Sequence, residues 1–164
     1  MTTTQNQAGD DGRKKLVALM KDMPIGMMTT YGPQGPHSFP MARQEVEPTA
    51  ELWFITARDT RHVRDLATSP QVSVTFSSRD AWVAITGRAE LVDDQAKLEE
   101  LWNTFADAWM PEGPEDPNAV LLRLDVEQAE YWDTPGGKVA SLVSFAKAKL
   151  TGETFDADHG TVDL

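Results

Sequence analysis

The rhythm of apolar and polar positions changes several times along this chain, and each rhythm predicts an element. Residues 13–23 carry Leu16, Val17, Leu19 and Met20 at roughly helical spacing and stop at Pro24, which predicts an amphipathic helix. Six stretches then read as strands: 25–31, 37–46, 51–57, 71–78, 81–92 and 119–133. GPQGP joins the first two and EPTA the next two, both turn-like. In 81–92, Trp82, Ala84 and Thr86 alternate with Val83, Ile85 and Gly87, the period of a half-buried strand, and Gly87 permits a bend or bulge. Strands linked this tightly pair with their sequence neighbours. The economical outcome is a mainly β chain whose meander closes into a small barrel.

Three more stretches have a helical period. Residues 61–68 form a short one after the third strand. Residues 94–109 place Leu98, Leu101, Trp102, Phe105 and Trp109 on one side, with Asp93 as the expected cap and Pro111 as the stop. Trp102 and Trp109, seven apart, would share nearly one face, suited to a core, a subunit interface or the wall of a flat ligand. The last helix is expected at 139–150. Residues 1–12 are polar and read as a disordered arm, and residues 151–164 read as a flexible acidic tail.

With 164 residues, the chain fits one domain, residues 13–150, between those two ends. No run approaches the roughly 20 apolar residues of a membrane span and the N-terminus is polar, so the expected location is cytoplasmic. The absence of cysteine removes disulfides, thiolate catalysis and sulfur-ligated metal. A formal net charge of -11 argues against nucleic-acid or anionic-membrane partners, which need basic surface.

Against that acidic background, Arg58, Arg61, His62 and Arg64 fall within seven residues where the third strand hands over to a helix. Thr56 and Thr60 flank the turn, and Thr60 can N-cap the helix, aiming free N–H groups at one spot. One reading is an anion site for a phosphate. The other is that Arg58 and Arg64 pair with Asp59 and Asp65 on a solvated face. His37, His62 and His159 are far apart in sequence and lack a metal-binding spacing, so no metal site is expected. The chain has no GxGxxG, Walker loop or GxSxG elbow, and GPQGP is a hairpin turn, its prolines lacking N–H donors. His37 and Ser38, adjacent on a strand, point to opposite faces and make no nucleophile pair.

Between about residues 15 and 150 the chain resembles the pyridoxamine 5′-phosphate oxidase-like split-barrel flavoproteins, and within them the bacterial general stress proteins. The resemblance rests on MMTTYGPQGPHSFPMARQ, ELWFITARDTRHVRDLATSPQVSVTF, WVAITGRAELVDD, LWNTFADAWMPEGPEDP and LLRLDVEQAEYWD, in that order. It implies a six-stranded antiparallel split β-barrel with flanking helices, forming a homodimer that holds FMN in a groove at the subunit interface. Carried onto this sequence, Ile55 and Thr56 would lie near the ribityl chain, and Thr60, Arg61 and His62 would hold the phosphate. Pro40, Met41 and Ala42 would run beside the isoalloxazine and offer backbone groups to its edge, with Trp82 and Trp109 arriving from the partner.

Two departures stand out. The usual Arg-Pro-Met reads Phe39-Pro40-Met41, with Arg43 as a partial replacement, and His62 stands where lysine is common. An imidazole with its ordinary pKa near 6.5 is only partly charged at neutral pH. True pyridoxamine 5′-phosphate oxidases also carry an arginine-rich C-terminal segment, whereas this chain has no arginine after Arg123. That argues against vitamin-forming oxidase activity. Two functions remain: flavin redox chemistry on a small molecule, or a non-catalytic binding or sensor dimer with weak or lost FMN affinity. A deazaflavin or a tetrapyrrole would also suit so aromatic a groove. No side chain stands out as a general acid or base.

Overall fold

The computed structural model describes residues 2–46, 51–134 and 158–163. Helix α1 (Thr2–Met20) precedes β1 (Ile25–Gly32), β2 (Gly35–Val46) and β3 (Glu51–Ala57). Helix α2 (Arg61–Thr68) leads to β4 (Gln71–Ser77) and β5 (Ala81–Val92). Helices α3 (Gln95–Leu101) and α4 (Thr104–Trp109), β6 (Ala119–Asp133) and β7 (Asp158–Asp163) complete the order. Every pairing is antiparallel, in the order β3-β2-β1-β4-β5-β6-β7, and β3 also pairs with β6. That pairing closes six strands into a barrel, but not as the plain meander expected: the chain crosses over through α2, so β4 lies beside β1 and not beside β3.

The split arises in β6, whose 15 residues outrun its partners. One edge follows β5 from Leu121 to Asp133, while the other pairs first with β3 and then, from Gln128, with β7. The β5–β6 register shifts between Thr86 and Gly87. A Cβ on Gly87 would lie 2.1 Å from the Asp125 carbonyl oxygen, so the bulge expected there requires glycine. Inside the barrel, Met28, Phe54, Val74, Phe76, Ile85, Leu122 and Leu124 are buried, the inward halves of strands with period two. A second cluster, outside the barrel wall, packs Trp53 and Leu121 against Leu98 and Met110.

Four further expectations need correction. The helix expected from residue 13 starts at Thr2, so residues 2–12, read as part of an arm, are helical. Its second half is anchored by buried Leu16 and Met20, and the helix extends back from that anchor through a segment that contains no proline. The tail is not uniformly loose, because Asp158–Asp163 pairs with the end of β6 left uncovered by β3. The long helix 94–109 is two helices. Asn103 accepts from the N–H groups of Phe105 at 2.9 Å and Ala106 at 3.2 Å, starting α4 afresh, while Trp102 takes extended backbone angles. The cap of α3 is Asp94, which accepts from Lys97 N–H at 3.0 Å, rather than Asp93. The helix expected at 139–150 lies outside the described residues.

Candidate functional site

A cavity of about 340 Å³ lies outside the barrel wall, where β2 and β3 face α4 and the start of α2. Strand alternation brings Pro40, Ala42 and Gln44 of β2 to it, joined by Ile55, Thr56 and Ala57 of β3. The far wall is Phe105, Ala106, Trp109 and Met110, positions one and four apart on α4. Phe39, Thr60 and His62 close one end.

Of the residues expected from the sequence, Pro40, Met41, Ala42, Ile55, Thr56, Thr60, His62 and Trp109 all line this cavity. Arg61 and Trp82 do not. Arg61 turns its Nε toward Asp65 Oδ2, 3.9 Å away, and Trp82 sits on another face of the barrel beside Trp132 and Met27. Trp109 reaches the cavity from its own chain, at its mouth and 78% exposed. The sequence reading missed Gln44, Ala57, Phe105, Ala106 and Met110. The one-and-four spacing on α4 was the available signal for the last three, hidden by continuing the preceding helix through Asn103.

The bulge between Arg43 and Glu45 aims Gln44 at α4. Asn103 donates its amide N–H to Gln44 Oε1, and Gln44 Nε2 donates to the Ala42 carbonyl at 3.0 Å. Thus the residue that starts α4 is tied to the strand across the cavity.

Charge is arranged differently from the phosphate site expected on sequence grounds. Arg58 pairs with Asp93 and donates to the Pro117 carbonyl, and Arg64 donates to the Asp59 carbonyl at 2.8 Å. Arg43 donates to the Met20 and Met23 carbonyls, closing the C-terminal end of α1, and burial lowers its pKa. It is therefore no replacement for the arginine missing at Phe39. Thr60 stands at the N-cap of α2, yet its hydroxyl donates to the Ala57 carbonyl at 2.8 Å instead of capping. The sequence alternative, Arg58 and Arg64 pairing with the Asp59 and Asp65 carboxylates, is not what forms: Arg58 takes Asp93, Arg64 takes a backbone carbonyl, and Asp65 is approached by Arg61.

His62 is the centre of this end. Its ring stacks on Phe39 with centroids 4.1 Å apart and planes 14° from parallel, and Phe39 stacks in turn on His37 at 5.5 Å. Thr56 Oγ1 lies 2.6 Å and Thr60 Oγ1 3.0 Å from Nε2. Because Thr60 gives its only hydroxyl proton to Ala57, its lone pairs face Nε2, which therefore carries the ring proton and donates to it. Burial, and then the nearby His37, push the His62 pKa down to about 4, against the opposing pull of Asp65. At neutral pH the imidazole is uncharged. Behind it, Asp65 is buried on α2, accepts from Thr30 Oγ1 at 2.9 Å, and packs so tightly on Gly32 that a Cβ there would lie 2.2 Å from its oxygen.

The cavity thus fits a flat ring and does not fit a phosphate. Its walls are mainly aliphatic and aromatic, with hydroxyl and backbone groups at one end. No lysine or arginine among the described residues lines it. Two lost charge-assisted hydrogen bonds, about 1.5–3 kcal/mol each, outweigh the roughly 0.3–1 kcal/mol that a helix N-terminus such as that of α2 offers an anion.

Residues 11–156 match the family described as pyridoxamine 5′-phosphate oxidase like. Among solved structures, the chain is similar to a protein named general stress protein 26 from Jannaschia sp. CCS1, with 30% identity, a TM-score of 0.72, and coverage of 98% of this chain and 99% of that one. It is also similar to the general stress FMN/FAD binding protein of Xanthomonas citri, with 29% identity, a TM-score of 0.65, and coverage of 81% and 93%. Protein bli-3 of Neurospora crassa is 24% identical over 113 residues, 63% of this chain, and the chain spans only 54% of that relative's length. This closed six-stranded barrel, matched over residues 11–156 by the family and along 98% of its length by the Jannaschia protein, belongs to the pyridoxamine 5′-phosphate oxidase-like family, among its general stress proteins.

Proposed function

We propose that this protein binds a flavin and uses it for redox chemistry on a small molecule. The single observation that carries the reading is convergence: eight residues that the resemblance assigns to a flavin line one cavity with a mainly apolar lining. A bound flavin would supply electron transfer, leaving the protein to bind, orient and exclude water. Pro40, Ala42 and Ile55 would lie against the ring, Thr56 would direct its hydroxyl to the side chain, and Trp109 and Phe105 would cover the mouth. The FMN/FAD binding named for the Xanthomonas citri relative supports the same ligand class.

We further propose a homodimer that completes this site. Ile25, Met27 and Trp82 are large apolar side chains between 44% and 49% exposed on the outer faces of β1 and β5. In register, Met27 stands opposite Pro40 and Thr75, Ile25 opposite Ala42, and Trp82 opposite Trp132. Pro40 and Ala42 also line the cavity, so a second copy seated on this face would wall the cavity and bring its own outer residues to it.

Purification followed by a visible spectrum tests the function. The expected result is flavin absorption near about 450 nm that survives desalting, or quenching of flavin fluorescence on addition to colourless protein. A colourless protein that quenches neither FMN nor riboflavin overturns it and leaves the non-catalytic reading with another planar ligand.

A further inference from the structure

We infer that the cavity selects a flavin, or a similar flat ring, whose side chain is uncharged and hydroxylated, over the corresponding phosphate ester. The inference rests on the flavin reading above and deepens it by naming the form of the ligand. Its basis is geometric. At the two positions where the resemblance leads one to expect cations, this chain places two flat rings, Phe39 and His62, and packs them face to face at 4.1 Å. They fill the end of the cavity and present no formal positive charge to it at neutral pH.

The nearby arginines are engaged elsewhere. Arg43 holds the carbonyl end of α1, Arg58 is bound to Asp93 and Pro117, Arg64 to the Asp59 carbonyl, and Arg61 faces buried Asp65. The groups that do reach the cavity end are Thr56, Thr60 and the His62 imidazole. With Nε2 donating toward the threonine oxygens, the Thr56 hydroxyl proton is left for the cavity. An alcohol suits such a place, since it both donates and accepts. A phosphate dianion would have to shed its water against neutral rings, with the Asp65 carboxylate behind them.

The test titrates the full-length protein with riboflavin and with FMN near neutral pH, following flavin fluorescence, and repeats both titrations on H62K, F39R and R61A. The expected result is riboflavin binding at least as tight as FMN in the wild-type protein. The ratio of FMN to riboflavin affinity should then rise about tenfold in H62K. R61A should leave both affinities within about twofold. Wild-type protein that prefers FMN by about tenfold or more overturns the selection while leaving the flavin function intact, and would mean that a charge from elsewhere reaches the phosphate. Preferential loss of FMN in R61A overturns it in the same way. Failure of both flavins to bind removes the function and the selection together. The wild-type comparison decides the matter even if F39R does not fold.

Discussion

His62 sits between the Phe39 ring and two threonine hydroxyls, and that environment gives its protonation a measurable consequence. Its pKa falls from 6.5 to about 4 on folding, so the unfolded chain takes up this proton more readily than the native one. Above pH 6.5 neither state is protonated there and no stability is lost. As pH drops from 6.5 toward 4 the unfolded state gains the proton first, and His62 lowers stability progressively across that window. His62→Gln is expected to flatten this part of the profile. Urea unfolding of both proteins at several pH values between 4 and 7 would check it, and parallel profiles would discard the assignment. The sequence pointed to this residue and left it partly charged at neutral pH, whereas burial makes it neutral. Whether an imidazole is charged depends on what surrounds it, and Phe39 and His37 come near His62 only through the pairing of β2 and the docking of α2. The same holds for Arg58 and Arg43, which were visible in the sequence but whose partners, Asp93 and the carbonyl end of α1, lie far away in the chain.

At the scale of elements, the strands were the most legible. The residues of β3, α2, β5 and β6 coincide with the expected stretches because prolines, glycines and alternating apolar residues bound them locally. The break between α3 and α4 was not legible. Asparagine tolerates a helix interior at modest cost, so Asn103 becomes a boundary only where its side chain finds the Phe105 and Ala106 N–H groups and the Gln44 amide. Asn103→Ala should cost about 1 kcal/mol through the lost cap. A second effect follows from the lost tie to Gln44: α4 carries Phe105 and Trp109 at the cavity mouth, so flavin affinity should fall more than stability does. Thermal denaturation and flavin titration on the same preparation separate the two. A loss of stability with unchanged binding would show that α4 does not depend on this tie.

For the whole molecule, the outer face of β1 and its neighbours is the feature that one chain leaves unresolved by its own packing. Met27→Glu places a charge at a side chain 44% exposed in the single chain, so the barrel itself should tolerate it. Analytical ultracentrifugation is expected to show a dimer for the wild-type protein and a monomer for the variant, with flavin binding weakened in the monomer. A wild-type monomer would end the proposal that a second copy walls the cavity. Among the described residues, no helix is long and apolar enough to cross a membrane. By itself, the sequence determined the barrel's strands, because period, turn residues and short connections act over a few positions, whereas eight residues of the cavity were reached through the family resemblance. The tertiary structure alone decided where β6 divides between β3 and β7, where the helix after β5 breaks, and which cations reach the cavity. Those outcomes depend on groups distant in the chain competing for the same hydrogen bonds and the same space.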